Sequence, residues 1–146
     1  MPANNVILYA QWIPTYTVTY NGNGNDNNAG GGTAPANQTK IYGTDLTLAT
    51  NTGSLVKTGS NFAGWNTQAD GSGTNYTVGA TYTGNAALTL YAKWTPITYT
   101  VTFNKNNDDA TGAMVAQTIA SGSSANLTSN AFAKTGFTFA GWATTA

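Results

Sequence analysis

Leu88-Thr89-Leu90-Tyr91-Ala92-Lys93-Trp94-Thr95-Pro96 is the stretch on which the reading turns, because a version of it already stands near the start of the chain as Val6-Ile7-Leu8-Tyr9-Ala10-Gln11-Trp12-Ile13-Pro14. In the later copy Leu88, Leu90, Ala92 and Trp94 alternate with Thr89, Tyr91 and Lys93, the period of two that lets a strand bury one face. Two further segments recur in the same order. Tyr16-Thr17-Val18-Thr19-Tyr20-Asn21 returns as Tyr99-Thr100-Val101-Thr102-Phe103-Asn104. Lys57-Thr58-Gly59 with Phe62-Ala63-Gly64-Trp65 returns, at a slightly shorter offset, as Lys134-Thr135-Gly136 with Phe139-Ala140-Gly141-Trp142. Ordered self-similarity of this kind marks a tandem array whose loops have changed length. In that frame residues 1–14 are the closing strand of a preceding repeat. Residues 15–97 form a complete unit, and residues 98–146 form a partial unit lacking its closing strands, with no counterpart of Gln68 to Trp94.

Composition removes most chemistry. The 146 residues include five Lys and five Asp but no Arg, Glu, His or Cys, and only 7% are charged. General acid–base catalysis and metal ligation draw on the missing types, so an enzyme is not expected. A net charge of zero without a basic cluster argues against nucleic acid and against an anionic membrane surface. No apolar run approaches the roughly 20 residues of a membrane-spanning helix. Abundant Thr, Asn and Gly instead suit strands joined by polar turns.

The local pattern is mainly β. Tyr16, Val18 and Tyr20 share one face of a half-buried strand, and Gln38 to Tyr42, Asp45 to Ala49 and Phe137 to Trp142 alternate similarly. Asn21-Gly22-Asn23-Gly24 and Gly30-Gly31-Gly32 supply turns needing positive φ. One short helical turn is expected at Ser54 to Lys57, capped by Asn51 or Thr52 and stopped by Gly59, with a copy at Asn130 to Lys134 stopped by Gly136. Strands, a helical turn and strands again in each repeat predict a small α+β unit with the helical turn on one face of a mixed sheet.

The Tyr-Thr-Val-Thr-Tyr/Phe-Asn opening, the Lys-Thr-Gly…Phe-Ala-Gly-Trp centre and the Leu-Tyr-Ala-Lys/Gln-Trp close together resemble the Listeria–Bacteroides repeat, the family that includes the internalin B-repeat. The opening Met1 to Val6 resembles that family's lead-in to its closing strand, which would make Met1 internal to a longer array. The resemblance implies a β-grasp, ubiquitin-like unit repeated in secreted or wall-anchored bacterial surface proteins. It therefore implies an extracellular location, at the cell surface or cell wall.

Several residues invite a chemical reading. Ser54-Leu55-Val56-Lys57 and Lys57-Thr58-Gly59 mimic motifs of penicillin-binding enzymes, but one Lys cannot serve both, and the counterpart of Ser54 is Ala131. A calcium ion near Asp26, or near Asp108 and Asp109, is the one cofactor the oxygen ligands suggest, although their spacing fits no known calcium loop. Trp12, Trp65, Trp94 and Trp142 could stack on sugar, but a large apolar area on recurring strand positions favours core packing. Tyr9 and Tyr91, on the opposite alternation face, are the better ligand-binding residues. Lys40, Lys57 or Lys93 with Asp45 could support a Lys–Asn isopeptide crosslink.

Three functions follow. The first is a structural spacer in an adhesin-like surface protein, packing against neighbouring repeats, with self-association along the array. The second is an adhesive module binding host glycan or protein through Tyr9, Tyr91 or the Gly/Asn loop. The third is head-to-tail polymerisation, in which residues 1–14 of one chain fill the vacancy in residues 98–146 of the next.

Overall fold

The computed structural model describes residues 5–26 and 31–145. Residues 1–4 of the lead-in and residues 27–30 of the Gly/Asn-rich loop lie outside the described residues. The chain divides into two compact units, residues 1–95 and 96–146.

Among the described residues seven strands build the first unit: β1 (Thr15–Asn21), β2 (Gln38–Ile41), β3 (Leu46–Thr47), β4 (Ser60–Asn66), β5 (Asn75–Tyr76), β6 (Thr81–Tyr82) and β7 (Leu88–Pro96). Five form one sheet in the order β2-β1-β7-β4-β5, and β3 pairs with β6 as a separate two-stranded ladder. Strand β1 is used in two halves. Residues Thr15 to Val18 run antiparallel to β2, and Val18 to Asn21 run parallel to β7, with Val18 opposite Leu88 and Tyr20 opposite Leu90. The two recurring motifs with the clearest alternation thus meet as neighbours within the sheet.

Their inward residues form the core. Val18, Trp65, Leu90 and Ala92 are 0% exposed and cluster with Tyr20, Leu48, Leu55 and Tyr82. Trp65 is packed between Tyr20 and Phe62, with ring centroids 4.8 and 5.1 Å away, and its indole N–H donates to Ala49 O at 2.9 Å. That bond removes the penalty of burying the one polar atom of a large apolar side chain.

The expected helical turn is absent, so the α component of the fold reading is corrected: among the described residues every regular element is a strand. The cause is local. Asn51 clamps both sides of Leu55, accepting from its N–H at 2.7 Å and donating to its carbonyl at 2.9 Å, while Ser54 takes a positive φ of 52°. Val56 is satisfied across the chain, its N–H by Gly31 O and its carbonyl by Asp26 N–H, both at 3.0 Å. These bonds compete with the i to i−4 ladder a helical turn would need. The approach is so close that a Cβ at Gly53 would stand 1.8 Å from Thr33 O. Gly59 does adopt positive φ, as its reading as a stop residue required, but in a tight turn in which Ser60 N–H donates to Lys57 O at 3.0 Å. The copy behaves alike: Asn130 bonds both sides of Phe132, at 3.0 and 2.8 Å, and Phe137 N–H closes the turn on Lys134 O at 3.1 Å.

The second unit holds β8 (Thr98–Val101) and β9 (Gln117–Ala120), an antiparallel pair, with an isolated bridge between Thr111 and Ala133. β8 matches the β2-facing half of β1 and ends where, in the first unit, pairing with β7 takes over. Phe137 to Trp142, expected as a strand, has no regular structure. Its counterpart β4 lies between β7 and β5, and among the described residues the second unit has no equivalent of either. A strand without a partner leaves its backbone groups to water and gains nothing from extension.

Candidate functional site

The polar side chains of the two units are largely committed to holding turns, and the same devices recur. Gln38 on β2 donates to Thr47 O at 3.1 Å and accepts from Ala49 N–H at 3.1 Å; Gln117 on β9 donates to Asn126 O at 2.8 Å and accepts from Thr128 N–H at 3.0 Å. In each unit one Gln therefore pins the segment that follows it. The Tyr20 hydroxyl donates to the same Gln38 oxygen and accepts from Ala49 N–H, and burial pushes its pKa above the ordinary value, opposed by the Ala49 bond. Asn21 and Asn104 accept from Asn23 and Asn106 N–H at 2.8 and 2.7 Å, where both recipients have positive φ. Reading the sequence for chemistry missed these residues. The signal was present in the recurrence of Gln-Thr at 38 and 117 and of Asn at 51 and 130.

Among the described residues no three His, Cys, Asp or Glu side chains group together. Asp26 Oδ2 receives the Thr58 hydroxyl at 2.6 Å and the Thr58 N–H at 2.5 Å, stapling the Gly/Asn loop to the Lys57–Ser60 turn. Asp70 receives the Ser72 hydroxyl and N–H likewise, while Asp108 and Asp109 are exposed in their loop. The hydroxyl bond, then the N–H bond, holds the carboxyl of Asp26 below its ordinary 3.8, and the same pair acts on Asp70. A carboxyl whose folded pKa is depressed stabilises above the unfolded value and loses that contribution as pH falls through the folded one. The urea midpoint of the first unit is therefore expected to be flat near neutrality and to fall below about pH 4. Asp26→Asn should reduce that acid dependence, as urea titrations followed by tryptophan fluorescence would show.

Lys40 is 1% exposed and donates to Ile41 O at 2.8 Å and Asn85 Oδ1 at 3.2 Å, a Lys–Asn pair. The buried polar side chains among the described residues are Lys40 and Asn66, so this pair lacks the buried acid of isopeptide chemistry, and Asp45 is exposed.

The aromatic candidates divide. Trp65 is enclosed, and Trp94 is half-buried, edge-on to Phe62 at 5.7 Å with its indole N–H on Gly22 O at 3.2 Å. Tyr91 is half-buried on β7 opposite Asn21, whereas Tyr9 is exposed. Trp12, read as core, is exposed as well, because Asn5 to Pro14 form no strand and pack into no core among the described residues. Tyr9 and Tyr91 lie on separate segments, Tyr9 before β1 and Tyr91 on β7.

The open feature is in the second unit. Trp142 is ringed by Phe103 at 4.8 Å, Phe139 at 4.9 Å and Phe132 at 6.1 Å, the counterpart of the Tyr20–Trp65–Phe62 group. Where β7 would cover it there is a cleft of about 1140 Å³, lined by Val101, Phe103, Leu127, Phe132, Phe139 and Trp142 among others. Phe139 is exposed in consequence.

Among the described residues no helix is long and apolar enough to cross a membrane. A relative from Evansella cellulosilytica, provisionally named a Gly-rich membrane protein, is 38% identical over 144 residues, which cover 97% of this chain and 16% of that protein. A second protein of the same organism, provisionally named a membrane protein, is 43% identical over 94 residues, covering 63% of this chain and 13% of its own length. The chain thus spans less than a fifth of these relatives. No solved structure gives a significant match. The family model described as the Listeria-Bacteroides repeat domain matches residues 16–93 and again residues 99–146. With two tandem matches over most of its length, the chain belongs to the Listeria-Bacteroides repeat family.

Proposed function

We propose that this chain is a spacer segment of a bacterial surface protein, in which repeats set distance and a domain elsewhere in the protein makes the biological contact. The observation that carries this reading is the duplication of purely structural hydrogen-bond devices, Gln38 with Gln117, Asn21 with Asn104 and Asn51 with Asn130. Each fixes its own unit's backbone. The sheet order β2-β1-β7-β4-β5 with β1 and β7 parallel supports a β-grasp reading of the complete unit, its helix replaced by the Asn51-clamped loop. The names of the Evansella relatives support a place at the cell envelope for the parent protein. A chain in which only 7% of residues are charged suits a stalk that must pass charged wall polymers without binding them.

A unit of about 80 residues has a radius of gyration of about 12 Å, so each complete repeat should lengthen an array by roughly 30 Å. Scattering from arrays of one to four complete repeats should show the maximum dimension rising linearly at that increment. A dimension that stops growing with repeat number would end the spacer reading. So would saturable binding of a single complete repeat to host glycans or serum proteins, which would favour the adhesive module instead.

A further inference from the structure

Among the described residues β1 is the first strand of the complete repeat and β7 the last, yet they are direct neighbours in the sheet, parallel and enclosed between β2 and β4. Four residue pairs hold them together, from Val18 opposite Leu88 to Asn21 opposite Tyr91. The chain enters β1 at Thr15 and leaves β7 at Pro96, two residues before β8 opens the next repeat. Tension carried along a tandem array therefore reaches this unit through the ends of two paired strands.

The parallel pairing decides how that tension acts. Thr15 is the N-terminal end of β1 and Pro96 the C-terminal end of β7, so the two lie at opposite ends of the pair. Drawing them apart slides one strand against the other along their common direction. All the backbone hydrogen bonds between them are then loaded together, whereas force applied at one end of the pair would break them in turn. Enclosure strengthens the ladder. Val18, Leu90 and Ala92 are fully buried and Tyr20 nearly so, which keeps water from the inward side, and a hydrogen bond in such surroundings is stronger than one in solvent.

Two side-chain bonds extend the attachment past the last backbone pair. Asn23 Nδ2 donates to Ala92 O at 2.9 Å, and the Trp94 indole N–H donates to Gly22 O at 3.2 Å. Both join residues that follow β1 to the part of β7 beyond Tyr91. Asn23 also donates to Ala69 O at 2.8 Å and so ties in the loop after β4.

We propose that the complete repeat is a force-bearing clamp: the parallel β1–β7 pair, lengthened by Asn23 and Trp94, keeps the unit folded when the array is pulled along its length. The use of such a clamp rests on the spacer reading, in which repeats transmit load to a domain elsewhere in the protein. The mechanical property belongs to the unit itself. Scattering from unloaded arrays tests the first and pulling on one repeat tests the second, so either can fail alone.

The chain has no Cys, so handles for optical tweezers can be attached at engineered pairs. Thr15→Cys with Pro96→Cys loads the strands in shear. Thr15→Cys with Ala87→Cys pulls the same two strands from one end, because Ala87 directly precedes β7. All three sites are exposed. At one loading rate the shear geometry should need at least about threefold the force of the peeling geometry, since the paired backbone groups must yield together rather than singly. Shear rupture should lengthen the tether by about 250 Å, the extended length of the freed residues less that of the folded unit. Asn23→Gly tolerates the positive φ of 50° and loses the amide. It should lower the shear force by about a third and leave the peeling force unchanged, because its bonds lie at the far end of the pair. Equal forces in the two geometries would overturn the proposal. An Asn23→Gly loss shared equally by both geometries would make Asn23 an ordinary stabilising residue and remove it from the clamp.

Discussion

Replacing Trp65 by alanine is expected to unfold most of the first unit, whereas the same replacement at Trp142, its counterpart in the second unit, is expected to cost little. Deleting a fully enclosed Trp side chain costs about 3–5 kcal/mol, the transfer energy of the lost atoms plus the cavity they leave. Trp65 is 0% exposed, touches two aromatic rings and satisfies Ala49 O, so the upper part of that range applies. A unit of about 80 residues has only about 4–12 kcal/mol of stability in total. Trp142 has three aromatic neighbours instead of two, but it is half-buried and opens onto the cleft. Its removal widens a space that already reaches solvent, and a cost of about 1 kcal/mol is expected. Urea titrations resolved by NMR into signals of each unit would measure both values. Equal costs would mean that ring contacts, rather than enclosure beneath β7, determine what a core Trp contributes here.

The same contrast explains what could be read from the sequence. Where alternation coincided with a partner strand, as in Tyr16 to Tyr20 and Leu88 to Trp94, the strand and its inward face were legible, and Val18, Leu90 and Ala92 are fully buried. The separation into repeats was legible because loops change length while core positions cannot. Phe137 to Trp142 carries the same alternation as β4 and forms no strand, since alternation states only which face can be buried. The neighbour that does the burying is tertiary information. The helical turn failed for a different reason. Ser54 to Lys57 has acceptable helix residues and a glycine stop, but Asn51 offers Leu55 a two-point bond that propensity does not count. The ligand-binding reading rested on the outward face of the strand pattern, and it located Tyr9 in open solvent without supplying a surface around it. Low charge and absent His, Cys, Arg and Glu were legible from the start as a shortage of chemistry. Their positive counterpart, amide side chains organising turns, became legible only once Gln38, Asn51 and Asn66 had partners.

Asn66 carries the heaviest load of these amides, and its replacement by alanine is the second large effect expected. It ends β4, is 1% exposed, and makes five hydrogen bonds. Its amide nitrogen donates to Gly71 O, Gly73 O and Asn75 Oδ1 at 3.1, 3.0 and 2.9 Å, and its oxygen accepts from Gln68 and Gly73 N–H at 2.7 and 3.1 Å. The loop between β4 and β5 is thus folded around one side chain. Alanine would leave these groups without partners in a partly buried loop, at a cost of about 3 kcal/mol. Asn66→Asp separates the role of the donor from that of the acceptor. A carboxylate keeps the two accepted bonds but aims its second oxygen at Gly71 and Gly73 carbonyls, so the charged form is disfavoured and its folded pKa is raised. A raised folded pKa means stability that is present below the unfolded value and lost as pH rises. Asn66→Asp should therefore be strongly destabilised at pH 7 and partly recovered on acidification, when a protonated oxygen can again donate. The unaltered protein should move the opposite way over the same range, because Asp26 and Asp70 lose their bonds to Thr58 and Ser72. Opposite slopes of urea midpoint against pH in the two proteins are the expected result, and parallel slopes would show that the Asn66 amide hydrogens do not hold the loop.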